Sequence, residues 1–239
     1  SPQVRQQARD RALRTIDATC PLVAKVHTET VRFAQQGYHV LLIGHAGHDE
    51  IHGTLGEAPE HMTLVESESD IGRLRFPPTA KLAYLTQTTL SVDETQRIVN
   101  KLKATFPHIQ GPAKSDICYA TQNRQQAVRQ LAKASDIVLV VGSQNSSNSR
   151  RLREVAEDCG TAAFLLDDDR QLRLDWFRQD SVVGVTAGAS APEVSVQSVL
   201  NWLRGRFATE EVTLVGSGED ERTFPLPQSV LPFLEESSN

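Results

Sequence analysis

Ile137-Val138-Leu139-Val140-Val141-Gly142-Ser143-Gln144-Asn145-Ser146-Ser147-Asn148-Ser149 is the stretch on which the reading of the fold turns. Its first five residues are aliphatic without a polar alternation. Such a run suits a parallel strand covered on both faces. A glycine and a crowd of small polar residues follow, and then Leu152, Val155 and Ala156 at helical spacing. Strand, polar loop and helix make the repeating unit of an α/β protein.

The unit recurs along the chain. Val40-Leu41-Leu42-Ile43 precedes Gly44-His45-Ala46-Gly47-His48-Asp49-Glu50. Leu82-Ala83-Tyr84-Leu85 precedes Thr86-Gln87-Thr88-Thr89-Leu90-Ser91, and Val182-Val183-Gly184-Val185 precedes Thr186-Ala187-Gly188-Ala189-Ser190-Ala191-Pro192. Short strands are also expected at Met62–Val65 and Ala163–Leu166. Helices are expected after Ser91, from Arg124 to Ala134, around Leu152, and after Pro192, where the ring suits a first helical turn. The expected fold class is α/β, with repeated β-α-β units and parallel sheets. A Pro/Gly/Ser break between Pro107 and Ser115 divides the chain into two comparable halves. The expected organisation is residues 21–114 and 115–206 as two α/β domains, 1–20 as the last helix and strand of a preceding one, and 207–239 as a tail that packs back.

Composition narrows the function classes. The 239 residues carry a formal charge of −5, which argues against a nucleic-acid-binding protein. The longest aliphatic run is far short of a membrane span, and no signal peptide opens the chain, so neither nucleic acid nor membrane is an expected partner and a cytoplasmic location is expected. The chain begins Ser1-Pro2-Gln3 without an initiator Met.

In open α/β sheets, ligands collect beyond the carboxyl ends of the strands. Here those ends carry Thr86–Thr89, Asn145–Asn148 and Gly188–Ser190. Hydroxyls, amides and helix N-termini together make an anion cradle, although any one such loop can also be no more than a helix cap. Neither a P-loop nor a GxGxxG motif is present, so nucleotide readings lose their support. In the histidine loop, His45 or His48 could donate to an anion while Glu50 moves protons, or the group could bind a metal.

Three cysteines, Cys20, Cys118 and Cys159, fit neither a disulfide scaffold nor a CxxC zinc site. Cys20 and Cys118 sit in matching settings at expected strand-to-helix junctions. A helix N-terminus favours the thiolate, the form that ligates iron–sulfur clusters or zinc. The plainer alternative is two buried small apolar residues. Cys159, at a helix end, reads as structural.

Six segments in order carry a resemblance. They are Asp17-Ala18-Thr19-Cys20-Pro21-Leu22-Val23, Gly44–His48, Thr86–Asp93, Asp116-Ile117-Cys118-Tyr119-Ala120-Thr121, Asn145–Ser149 and Thr186–Pro192. Together they closely resemble the 4-hydroxy-3-methylbut-2-enyl diphosphate reductase family (IspH/LytB), over the chain up to about Arg206. The resemblance implies a trefoil of three α/β domains around a central [4Fe-4S] cluster. It implies reductive dehydroxylation of 4-hydroxy-3-methylbut-2-enyl diphosphate to isopentenyl and dimethylallyl diphosphate, the last step of the non-mevalonate isoprenoid pathway, with a ferredoxin or flavodoxin as electron donor. Carried over motif by motif, Cys20 and Cys118 are cluster ligands. Glu50 is the proton donor, with Thr88 in its relay. His48, Ser146, Ser147, Asn148 and Ser190 hold the diphosphate, and Thr121 lines the pocket.

In the family a further N-terminal segment holds another cluster cysteine and two more substrate-binding histidines. The third cysteine ligand is therefore expected to be absent from this chain, which reads as a fragment incomplete for catalysis alone. Two other readings stand beside the reductase: a cluster-free diphosphate-binding module, and a zinc hydrolase using His45, His48 and a cysteine.

Overall fold

The computed structural model describes residues 1–207 together with Val212, Thr213, Val215 and Val230. The expectation for the tail, 207–239, falls almost wholly outside the described residues. The elements in chain order are α1 (Pro2–Asp10), α2 (Pro21–Gln35), β1 (His39–Ile43), α3 (Asp49–Leu55), β2 (Met62–Val65), α4 (Glu68–Ile71) and β3 (Leu82–Thr86). They continue as α5 (Val92–Thr105), α6 (Tyr119–Lys133), β4 (Ile137–Val141), α7 (Ser147–Asp158), β5 (Ala162–Leu166), β6 (Val183–Ala187) and α8 (Glu193–Phe207). The chain divides into two units, one of residues 1–88 and 93–116, the other containing 89–92 and 117–207.

The first unit has a parallel sheet in the order β2-β1-β3. On its β1 face, Val40 and Leu42 pack with Val26 and Phe33 of α2 and Ile51 of α3. Beyond β3, Gln110 continues the ladder for one step, with Tyr84 N–H donating to Gln110 O at 2.8 Å. The second unit repeats the pattern as β5-β4-β6, again all parallel. Its central strand is buried on both faces, as its unbroken aliphatic run requires. Val138 and Val140 face Val128 of α6 and Leu152 and Val155 of α7. Ile137, Leu139 and Val141 point the other way, toward Val199 and Leu203 of α8. Each fully buried aliphatic side chain there contributes roughly 1.5–3 kcal/mol.

The two units are built to one register. Cys20 and Cys118 each cap a 15-residue helix and each stand 19 residues ahead of the first residue of a central strand. Gly44 N–H and Gly142 N–H close the two central strands on Val65 O and Leu166 O, and Gln87 N–H and Gly188 N–H close them on Ile43 O and Val141 O. In both, the chain leaves the central strand for one edge and returns to the other. The switch point of each sheet lies at the carboxyl ends of β1 and β3, or of β4 and β6, the place where α/β sheets bind ligands.

Two expectations need correction. Residues 11–20 contain no strand: with no strand to pair with among the described residues, the Asp17 carboxylate instead accepts from the Thr19 N–H at 2.9 Å and its hydroxyl at 2.6 Å. Residues 112–117 likewise form no strand before Cys118, so both cysteines are helix caps entered from irregular chain.

Candidate functional site

At the switch point of the first unit, Glu50 projects from the opening turn of α3 to the end of β3. Its Oε1 accepts the Thr88 N–H at 2.7 Å, and its Oε2 lies 3.0 Å from the Thr88 hydroxyl. Thr88 itself is buried. Burial raises the Glu50 carboxyl above the ordinary range; the two Thr88 hydrogen bonds oppose this, and the negative charge of Asp116 adds to it. His48 is the N-cap of α3, and its Nδ1 accepts the Glu50 N–H at 3.1 Å. A ring accepting at Nδ1 carries its neutral-form proton on Nε2, as a donor. Gln87, fully buried, holds the histidine loop by accepting the His45 N–H at 3.2 Å.

At the switch point of the second unit, Ser146 caps α7 and accepts the Ser149 N–H at 3.2 Å. The Ser147 hydroxyl accepts one from Thr89 at 3.2 Å. Asn148 is buried, yet among the described residues neither its amide oxygen nor its amide nitrogen has a partner. Leaving a buried polar group unmet costs about 1–3 kcal/mol, so such a residue asks for a ligand. Ser190 lies exposed in the turn after β6. The first turn of α7 is drawn close to both strand ends because residues 142 and 188 are glycines. A Cβ on either would run into the Ser149 side chain. Arg124 of α6 braces the second loop by donating to Ala187 O at 3.0 Å.

The register relates the two switch points residue by residue. His48 and Ser146 are each 28 residues past the capping cysteine, and Glu50 and Asn148 each 30. One unit thus places a half-buried acid where the other places a buried amide.

Cys20 caps α2 and is exposed; Cys118 caps α6 and is partly exposed. The buried-apolar reading of these two is therefore overturned. The Cys118 Sγ accepts the Thr121 N–H at 3.2 Å and lies 2.9 Å from the Thr121 hydroxyl. Both thiols are donors of the type an iron–sulfur cluster takes. Cys159 caps the other end of α7, a 12-residue helix about 18 Å long, away from the strand ends that carry the polar loop. Among the described residues no three His, Cys, Asp or Glu side chains gather as a metal site, and the zinc reading through His45 and His48 finds no such trio.

Asp116 and Lys25 escaped sequence reasoning. The Asp116 side chain is fully buried, accepting from Lys25 Nζ at 2.9 Å and from the Thr86 N–H at 3.0 Å. An acid directly before Ile117-Cys118 was the available signal.

Comparison with known proteins points to one family. A family profile described as LytB protein matches residues 1–204. The chain is 52% identical over 238 residues to a 4-hydroxy-3-methylbut-2-enyl diphosphate reductase of Rhodopirellula baltica, covering 100% of this chain and 74% of that one. It is 52% identical over 234 residues to a protein of the same name from Chromohalobacter salexigens, covering 96% and 74%. Among solved structures, the E-1-hydroxy-2-methyl-but-2-enyl-4-diphosphate reductase from Plasmodium falciparum superposes with a TM-score of 0.95 at 37% identity, over 100% of this chain and 76% of that one. No helix among the described residues is long and apolar enough to cross a membrane.

Proposed function

The chain belongs to the LytB protein family, and from that premise we propose that it is the oxidoreductase its relatives are named for, acting on 4-hydroxy-3-methylbut-2-enyl diphosphate in isoprenoid biosynthesis. The allylic C–O bond breaks, two electrons and two protons are taken up, and water leaves. One proton departs with the hydroxyl oxygen and the other ends on carbon, giving isopentenyl or dimethylallyl diphosphate.

The observation that carries the reading is the Glu50–Thr88 pair. A half-buried carboxyl held toward its protonated form is an acid in waiting. The Thr88 N–H fixes Oε1, which leaves Oε2 and the Thr88 hydroxyl to pass a proton to the leaving oxygen. In this reading the diphosphate is assigned, in the first unit, to the Nε2–H of His48, and in the second to the hydroxyls of Ser146, Ser147 and Ser190, the amide of Asn148 and the N-terminus of α7. Thr121 lines the pocket beside Cys118. A site of this kind suits an anionic substrate in a chain with a net charge of −5.

Cys20 and Cys118 are two of the ligands of a [4Fe-4S] cluster in this reading. When bound, the cluster supplies the electrons one at a time and a Lewis-acidic iron to the hydroxyl. A small one-electron carrier of the ferredoxin or flavodoxin type feeds it.

Glu50→Gln in the reconstituted full-length protein tests the assignment. The amide keeps an acceptor for the Thr88 N–H but has no proton to give. Substrate binds as before and reduction falls by roughly a hundredfold or more, the usual worth of a positioned acid. Turnover at the parent rate removes Glu50 from the proton path.

A further inference from the structure

Among the described residues the outer edge of β3 meets no strand beyond the single bridge at Gln110, and a side chain finishes the ladder. Tyr84 N–H donates to Gln110 O. Two residues on, along the same edge, Thr86 N–H donates at 3.0 Å to a carboxylate oxygen of Asp116. Gln87 N–H then turns inward to Ile43 O, and Thr88 N–H reaches Glu50. Three consecutive amides are therefore committed, and the first of them depends on Asp116. Its other carboxylate oxygen is held by Lys25 Nζ at 2.9 Å, from the second turn of α2. The Lys25 ammonium also donates to Lys114 O at 3.1 Å, which ties the segment that carries Asp116 to the same helix. A fully buried carboxylate with both oxygens engaged is a rigid fitting, and a costly one to maintain without a purpose.

We propose that the Lys25–Asp116 pair is a positioning device for the reaction, fixing the end of β3 through the Thr86 N–H and so setting Thr88 against the Glu50 carboxyl. Asp116 touches neither Glu50 nor, in this scheme, the substrate; it acts through Thr86 and Thr88, and through its charge. The charge that bears on Glu50 in this unit is that of Asp116, from the β3 side; Lys25 and Glu29 of α2 face Asp116 in turn, and His48 heads the helix that carries Glu50. The inference rests on the proposed role of Glu50 as the acid, and its test separates the two.

The test is Asp116→Asn in the full-length holoenzyme, with iron and sulfide content matched to the parent. Asparagine puts an NH2 donor in place of one of the two acceptor oxygens, so one bond is lost along with the charge. Expected are a fall in kcat with KM within about twofold, a shift of the alkaline limb of the kcat profile to lower pH, and faster hydrogen exchange at the Thr86 and Thr88 amides. A rise in KM with kcat and its pH profile unmoved overturns the proposal. Lys25→Gln with Asp116→Asn rebuilds the hydrogen bonds without charge: asparagine accepts from Thr86 and donates to glutamine. Exchange at Thr88 then returns to the parent rate while the alkaline limb stays low; a double variant as unprotected at Thr88 as Asp116→Asn contradicts the scheme. The parent provides a check that needs no variant, since rapid exchange at its Thr86 amide sinks the idea outright. Infrared titration of the Glu50 carboxyl, identified by its loss in Glu50→Gln, needs no turnover. If that titration responds to Asp116→Asn while the parent reduces nothing, positioning stands and the reductase reading fails. If the parent turns over and both titration and exchange ignore Asp116→Asn, the reverse holds.

Discussion

Glu50 and Asn148 occupy equivalent places in the two units and answer to opposite needs. Glu50 is a half-buried acid with partners. Its carboxyl is raised above its ordinary value of 4.5, chiefly by burial. The sign of the consequence is fixed by linkage: the folded chain holds this proton more tightly than the unfolded chain. Stability is therefore greatest below 4.5 and declines as pH climbs from there through the raised value of the folded state, then levels. Glu50→Gln removes that penalty, so urea unfolding followed from acid to neutral pH should show a shallower decline than in the parent; an identical slope contradicts the buried-acid description. Asn148 is a buried amide without partners among the described residues. Asn148→Leu keeps the forked outline of the side chain and discards the unmet groups. It should stabilise the free protein by about 1 kcal/mol and weaken diphosphate binding roughly ten- to hundredfold, as calorimetry with substrate would show. A variant that is destabilised and still binds would mean that Asn148 serves packing alone.

At the scale of elements, the helix α7 is pressed onto its sheet by two glycines. Gly188→Ala puts a methyl group into Ser149, at the first turn of the helix assigned to the diphosphate. Overpacking of this kind costs about 1–3 kcal/mol in stability. It should also raise KM more than it lowers kcat, because the helix end that moves is assigned to binding. An effect confined to kcat would argue against that assignment. The elements were largely legible in the sequence because unbroken aliphatic runs have one good home, a central parallel strand. The strand expected before each cysteine was not there: the segment 13–19 has no neighbour among the described residues with which to pair, and pairing is not written in a single segment. The capping role of Cys20 and Cys118 was readable, since Pro21 and the apolar spacing of α2 and α6 mark the helix starts. The work of Asp116 was not, because its partners Lys25 and Thr86 lie 91 and 30 residues away in sequence.

At the scale of the whole molecule, the acid and His48 lie in one unit and the serines and Asn148 in the other, on a common architecture. Family resemblance supplied the substrate class; the fold supplies the reason each residue type stands where it does. The ordered motifs span both units, and this is why a reading of loops and cysteines led to a family rather than to a fold class alone. The central claim is reduction of an allylic diphosphate at a cysteine-held iron–sulfur cluster. The most direct measurement is anaerobic reconstitution of the full-length protein, analysis of its iron and sulfide, and a single turnover with 4-hydroxy-3-methylbut-2-enyl diphosphate under a one-electron donor, beside Cys118→Ser treated alike. The account predicts stoichiometric iron and sulfide and both isopentenyl and dimethylallyl diphosphate from the parent, with cluster and products lost in Cys118→Ser. Zinc without sulfide, or products undiminished in Cys118→Ser, would contradict it.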